Sequence, residues 1–216
     1  MIRTIAAMGT VVSIEVDAPE AAVAQAFEWF RQVEATCSRF DASSELRQLP
    51  VGVATGASPI LFEAVSFALQ VARETGGAFD PTLGNRLAAR GYNRHYATRA
   101  VTDAPGEEGA SYRDVVLDMD RRTILLQRSL TLDLGSVAKG LAVDAAAQEL
   151  LPYRDFCIDA GGDIYLGGHN PRGGNWRVGI RHPRSRDELI DRVEVSDCAV
   201  CTSGDYERGG HILDPR

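Results

Sequence analysis

The chain has 216 residues, 44% of them apolar and 25% charged, with a formal net charge of -7. That length can enclose one sizeable core or two small ones sharing an interface, in a composition ordinary for a globular protein. The acidic balance argues against a nucleic-acid surface, which needs concentrated Lys and Arg, and no apolar run is long enough to cross a bilayer.

The N-terminal stretch MIRTIAAMGTVVSIEV has neither the long apolar centre nor the flanks of an export signal. The expected location is therefore cytoplasmic, with no membrane and no nucleic acid among the partners. Thr10 to Val16 alternates as a strand does, entered through Met8 and Gly9. Pro19 opens a helix to about Thr36, with Ala22, Ala26, Phe30 and Val33 along one side. In the polar run CSRFDASSELRQL, Asp41 or Ser43 could cap a short helical turn. Phe40 there is either a core anchor or an aromatic wall for a flat ligand. Ser58 and Pro59 start a second helix, which Thr75, Gly76 and Gly77 end. Asp80 precedes Pro81 and is biased to an extended conformation, so AFDP reads as a tight loop that suits either a ligand or a plain helix stop.

Asn85 to Ala100 is basic with room for a short helix, and Val101 to Ala110 reads as a surface loop. Asp114 to Leu117 and Thr123 to Gln127 flank DMDRR as a hairpin. The next stretch, LTLDLGSVAKGLAVDAAAQELL from Leu130, predicts a strand over Thr131 to Leu134 that feeds a helix through Gly135, with Ser136 as N-cap. Free N–H groups of that first turn could hold an anion, with Asp133 before them and Lys139 close behind. Val137, Leu141 and Ala145 form one ridge of the helix; Ala138, Ala142, Ala146 and Leu150 form the next. GSVAKG lacks the spacing of a phosphate-binding Walker loop.

FCIDAGGDIYLGG reads as strand, glycine pair, strand, with Asp159 and Asp163 flanking the glycines. Asn175 to Arg181, Arg192 to Val195 and Ala199 to Cys201 complete an apparent meander. Early helices and late strands make an α+β chain with mixed, mostly antiparallel sheets. The four cysteines, Cys37, Cys157, Cys198 and Cys201, are too few for a disulfide scaffold. Along a strand, Cys198 and Cys201 would stand about 10 Å apart on opposite faces, too far to bridge, and are read as buried structural residues.

Seven stretches, MGTVVSI, SRFDASSEL, TGGAFDPTLG, LDLGSVAKGLAVDAA, DAGGDI, WRVGIRHP and TSGDYERGGHILDPR, resemble in order the FAD:protein FMN transferases of the ApbE family. The resemblance implies a T-fold-like α+β domain over residues 1–216 that grips FAD, uses a divalent cation, usually Mg²⁺, and moves FMN onto a Thr or Ser hydroxyl of an acceptor protein, releasing AMP. It implies that Met8 and Phe40 line the flavin or adenine and that Ala78, Phe79 and Asp80 form a loop touching FAD. Asp133 and Lys139 would contact or lie close to the cofactor, and the Ser136 carbonyl would hold the metal. His211 would be the base at the pyrophosphate, with Asp133 acting beside it in catalysis, and Ile212 would touch the ligand.

Two departures from the family pattern stand out. The printed sequence stops at Arg216, before a segment that supplies metal ligands in the family, and Pro50 stands where the family usually has Asn. A second copy in a homodimer, or another polypeptide, could supply that segment. The rival expectations are an FAD pyrophosphatase giving FMN and AMP, and a non-catalytic FAD-binding remnant.

Overall fold

The computed structural model describes residues 1–185, 187–204, 209 and 212–215. In chain order its elements are β1 (Ile2–Ala7), β2 (Thr10–Val16), α1 (Glu20–Cys37), β3 (Thr55–Gly56), α2 (Pro59–Glu74), α3 (Gly84–Ala89), β4 (Val115–Asp118), β5 (Thr123–Leu126), α4 (Gly135–Leu150), β6 (Phe156–Ala160), β7 (Asp163–Gly167), β8 (Trp176–Arg181), β9 (Leu189–Val195) and β10 (Cys198–Cys201). Every pairing between these strands is antiparallel, as the α+β reading expects. The described residues fall into two compact units, Met1–Arg31 with Lys139–Ile212 and Gln32–Ala138 with Leu213–Arg216.

The first unit carries a five-stranded sheet in the order β1-β2-β6-β7-β10 and a separate β8-β9 hairpin. Period-2 alternation puts Val12, Ile14 and Val16 of β2 opposite Ala160, Ile158 and Phe156 of β6, all buried. Each large side chain so removed from water contributes roughly 1.5–3 kcal/mol. The buried residues of α1 recur at helical spacing, at Val23, Ala26, Phe27, Phe30, Val33 and Cys37. Those of α4 are mostly small, at Val137, Ala138, Ala142, Val143, Ala146, Ala147 and Leu150. Trp29 Nε1 donates to Glu149 Oε1 at 3.0 Å, linking α1 to α4.

The second unit holds a three-stranded sheet in the order β3-β5-β4 together with α2 and α3. Ser58 caps α2 by accepting from Leu61 N, Pro59 takes the first helical position, and Leu61, Phe62, Ala64, Val65, Ala68, Leu69 and Ala72 are buried. Arg86 of α3 donates to Asp214 O and Pro215 O, tying the closing residues to this unit.

Several expectations need correction. β1 forms ahead of β2, in a segment for which no strand was expected. Thr131 to Leu134 is not a strand. Its polar backbone is spent on a loop, Asp133 N donating to Pro81 O at 2.7 Å and Thr131 O accepting from Gly84 N at 3.0 Å. Its side chains Thr131, Leu132 and Leu134 are buried. α4 starts at Gly135, one residue before the expected Ser136 cap. Within α4, Val143 and Ala147 are buried, whereas Leu141 and Ala145 are only half-buried. β10 pairs with β7, not with β9, so no meander forms. Cys201 is exposed and Cys198 half-buried; among the described residues β10 has a strand neighbour, β7, on one side only.

Gly84 packs tightly against the segment before α4, its N donating to Thr131 O. A Cβ there would lie 2.5 Å from Thr131 Cγ2 and 2.6 Å from Thr131 O. Gly84→Ala is therefore expected to destabilise the fold by about 2 kcal/mol, as overpacking does, seen as a lower urea midpoint with an unchanged slope. Gly56→Ala, whose Cβ meets open space, should shift stability by less than about 1 kcal/mol.

Candidate functional site

In the second unit two of the assigned residues, Phe40 and Asp133, meet at Arg39. Arg39 is 6% exposed, and its Nε donates to Asp133 Oδ2 at 2.5 Å. Its Nη2 donates to Tyr92 O at 2.6 Å. The guanidinium carbon sits 4.0 Å from the centre of the half-buried Phe40 ring, a cation–π contact that holds the ring in place. The other oxygen of Asp133, Oδ1, accepts from Gly135 N at 2.8 Å. A Cβ on Gly135 would come within 2.9 Å of that oxygen, so the glycine is what lets the carboxylate fold back over the start of α4. Both carboxylate oxygens are thus fixed by the chain itself.

The start of α4 offers little to an anion. Gly135 N is taken by Asp133, and Val137 N and Ala138 N both donate to Leu134 O, leaving the N–H of exposed Ser136 as the open donor of that turn among the described residues. Asp80 is likewise used internally. Its Oδ1 accepts from Thr82 N at 2.9 Å and Thr82 Oγ1 at 2.6 Å, and its Oδ2 accepts from Tyr112 N at 3.2 Å. Asp80 therefore shapes the loop that presents exposed Ala78 and half-buried Phe79. A cleft of about 520 Å³ in the same unit is lined by Asp80, Asn85, Arg86, Glu107 and Ser111 among others. It reaches neither Phe40 nor Asp133.

In the first unit, Lys139 Nζ meets Asp163 Oδ2 at 2.7 Å, each side chain about one-fifth exposed. Cys201 stands opposite Asp163 across the β7-β10 pairing. Its thiol is pushed up by burial first, then by Asp163 and Asp144, while Lys139 pulls it down. Met8 and Gly9 form the two-residue turn between β1 and β2 with φ of 52° and 73°. Positive φ at both positions suits a tight hairpin, yet methionine rarely adopts it. Ile212 is 52% exposed. His211, assigned as the base, lies outside the described residues.

Arg39 and Asp163 are the partners that reading the sequence did not assign. Arg39 was visible only as one of many arginines, and Asp163 only as a carboxylate beside a glycine pair. Among the described residues no three His, Cys, Asp or Glu side chains gather as metal ligands. The described residues by themselves do not make up an oxygen-rich cation site, and no step below is routed through one.

Two outcomes follow. Arg39→Met should destabilise the chain by about 3 kcal/mol in urea unfolding by stranding the Asp133 carboxylate, and Asp133→Asn by a comparable amount, because its amide keeps one acceptor oxygen for two donors and leaves the more buried Arg39 charge uncompensated. Cysteine labelling of the folded chain at pH 8 should fall on Cys198 and Cys201. Burial, with Glu45 adding, pushes Cys37 up to about 12; burial, with Asp159 and Glu15, does the same to Cys157. Neither forms enough thiolate to react, so mass spectrometry should find both modified only after unfolding.

Comparison with known proteins gives these residues a family. The ApbE family model matches residues 8–216. The FAD:protein FMN transferase of Treponema pallidum is 30% identical, the match covering 90% of this chain and 62% of that protein. The Rhodobacter capsulatus enzyme of the same name is 32% identical over 99% of this chain and 45% of its own length. The chain thus spans about half to three-fifths of the length of these curated relatives. The crystal structure of the ApbE protein from Thermotoga maritima superposes with a TM-score of 0.85 at 27% identity, covering all of this chain and 76% of that one. The flavin transferase ApbE from Vibrio cholerae shares the fold with a TM-score of 0.82 at 24% identity, over all of this chain and 76% of its own. With its ordered motifs, its antiparallel α+β architecture and a family match reaching from Met8 through the last residue, this chain belongs to the ApbE family.

Proposed function

We propose that the chain transfers FMN from FAD to a Thr or Ser hydroxyl of an acceptor protein and releases AMP, in a Mg²⁺-dependent reaction. The observation that carries this reading is the Asp133 carboxylate, fixed from both sides by Arg39 and Gly135 N inside the LDLGSVAKG stretch that the family resemblance assigns to FAD. Family membership and two relatives named FAD:protein FMN transferase support it.

In this reading the acceptor oxygen attacks the phosphorus of the FMN half. The bond from that phosphorus to the bridging oxygen breaks, and AMP leaves with the electron pair. His211 takes the hydroxyl proton. Such a transfer needs positioning and charge neutralisation more than covalent help. Phe40, braced by Arg39, supplies a ring face for the flavin or adenine, and Met8 and Ile212 add apolar contact. Lys139 brings positive charge, although it must share that charge with Asp163. Ala78 and Phe79 contact FAD from a loop held in shape by Asp80. The Ser136 carbonyl is the group assigned to Mg²⁺. The acceptor carries an Asp upstream of a Ser or Thr flanked by small residues, and the reaction takes place in the cytoplasm, in a monomer or homodimer that gel filtration distinguishes. No helix among the described residues is long and apolar enough to cross a membrane.

Incubation with FAD, Mg²⁺ and a peptide bearing that motif should yield covalent flavin fluorescence and one AMP per flavin transferred, and EDTA should suppress both. His211→Ala should slow transfer by about a hundredfold or more, the usual contribution of a general base. AMP release at the same rate without peptide would mark an FAD pyrophosphatase. Absence of both AMP and labelled peptide with the unaltered chain would overturn the reading.

A further inference from the structure

Lys139 is the single lysine among the 23 Lys and Arg residues of the sequence. The other ion pairs between a permanent cation and a carboxylate among the described residues all use arginine. One position therefore takes a compact ammonium on a flexible stem in place of a planar guanidinium. There Lys139 Nζ meets Asp163 Oδ2 at 2.7 Å, with about one-fifth of each side chain exposed. Both residues belong to the first unit.

The carboxylate of this pair is itself fixed. Asp163 opens β7 directly after Gly161 and Gly162, whose φ values of 68° and 97° turn the chain between β6 and β7. Asp159 closes that turn by accepting from Gly162 N at 2.9 Å, and Thr202 N donates to Gly162 O at 3.1 Å. Asp163 stands in register with Cys201 of β10, whose thiol lies against its carboxylate. The two aspartates of DAGGDI thus have separate roles: Asp159 shapes the turn and Asp163 faces Lys139. At the other end, Lys139 rides on α4, where Ala138, Ala142 and Val143 are buried. The long lysine stem leaves many rotamers open, and a fixed carboxylate at its tip selects among them. One N–H of the ammonium then goes to Asp163, and the others remain for a further acceptor.

We propose that Asp163 is a positioning residue for the flavin reaction, holding the Lys139 ammonium in the rotamer that presents its remaining N–H groups to a phosphate oxygen of FAD. This rests on the reading of Lys139 as a contact of FAD. Two roles for Asp163 differ in sign. A carboxylate that only neutralises Lys139 competes with the incoming phosphate, so its removal frees the cation and tightens binding. A carboxylate that positions the ammonium lowers the cost of ordering the lysine, so its removal weakens binding. The lone lysine favours positioning, because neutralising a buried carboxylate is served by arginine at Arg39 and Asp133.

The test measures FAD binding to the full chain by quenching of flavin fluorescence, without acceptor peptide. Alongside it, NMR of 15N-lysine-labelled protein follows the Lys139 ammonium, whose signal is unambiguous because the chain has no other lysine. Asp163→Asn is expected to weaken FAD about tenfold and to broaden the Lys139 signal, with the amide spectrum otherwise in place. Lys139→Met should weaken FAD at least as much. Adding Asp163→Asn to it should then change the affinity by less than about twofold, since a positioning residue acts only through the group it positions. Lys139→Arg keeps the charge and a partner for Asp163, and with them the fold, yet should weaken FAD about tenfold because a planar fork replaces the ammonium. Asp159→Asn removes a negative charge from the same turn while keeping an acceptor for Gly162 N, and should leave FAD affinity within about twofold. The inference is overturned if Asp163→Asn or Lys139→Arg binds FAD as tightly as the unaltered chain or more tightly, or if the loss from Asp163→Asn persists undiminished in the Lys139→Met background. Failure of the unaltered chain to bind FAD overturns the flavin reading, and this inference with it.

Discussion

Arg39 and Asp133 are 94 positions apart in the chain, and the second unit is organised by their meeting. A guanidinium with 6% exposure could not stay charged and unpaired there, since removing an ion from water costs several kcal/mol unless partners replace the solvent. Asp133 supplies one partner and the Tyr92 carbonyl another. In return, the pair draws three otherwise independent pieces together: the segment after α1, the loop at Tyr92 and the approach to α4. The Phe40 ring is positioned by the same guanidinium.

That approach is fixed a second time by backbone. Pro81 and Gly84 exchange hydrogen bonds with Asp133 and Thr131, while Asp80 pins its own loop to Thr82 and Tyr112. The result is a carboxylate whose backbone is held by a loop about fifty residues upstream, which is the kind of support a preorganised site needs. Lys139 in the first unit follows the same pattern, held against Asp163. In each unit the assigned charge is therefore neutralised within the chain, Asp133 by Arg39 and Lys139 by Asp163.

Much of the architecture was legible in the sequence because it rests on local periodicity. The alternation of β2 and β6, the Ser58-Pro59 start of α2, the hairpin of β4 and β5 and the glycine-linked pair of β6 and β7 all came out with boundaries within a residue or two. Misreadings occurred where partners decide. Thr131 to Leu134 alternates like a strand, but a strand needs a neighbour in register, and the neighbour here is a loop. Cys198 and Cys201 looked buried from composition, while Cys201 is exposed and Cys198 half-buried on β10, which has one strand neighbour among the described residues. β1 carries Arg3 and Thr4 among its apolar residues, so no clean alternation marked it, although its pairing with β2 through the Met8-Gly9 turn is regular.

The sequence alone determined the α+β class, the limits of α1 and α2 to within a residue or two and the ordered motifs that carry family membership, because each of these depends on residues close together along the chain. Only the tertiary structure decided that Asp133 belongs to Arg39, that Lys139 belongs to Asp163, and that Asp80 serves its own loop. A charge finds its partner through space, and the cost of leaving it buried without one acts only once the chain has folded.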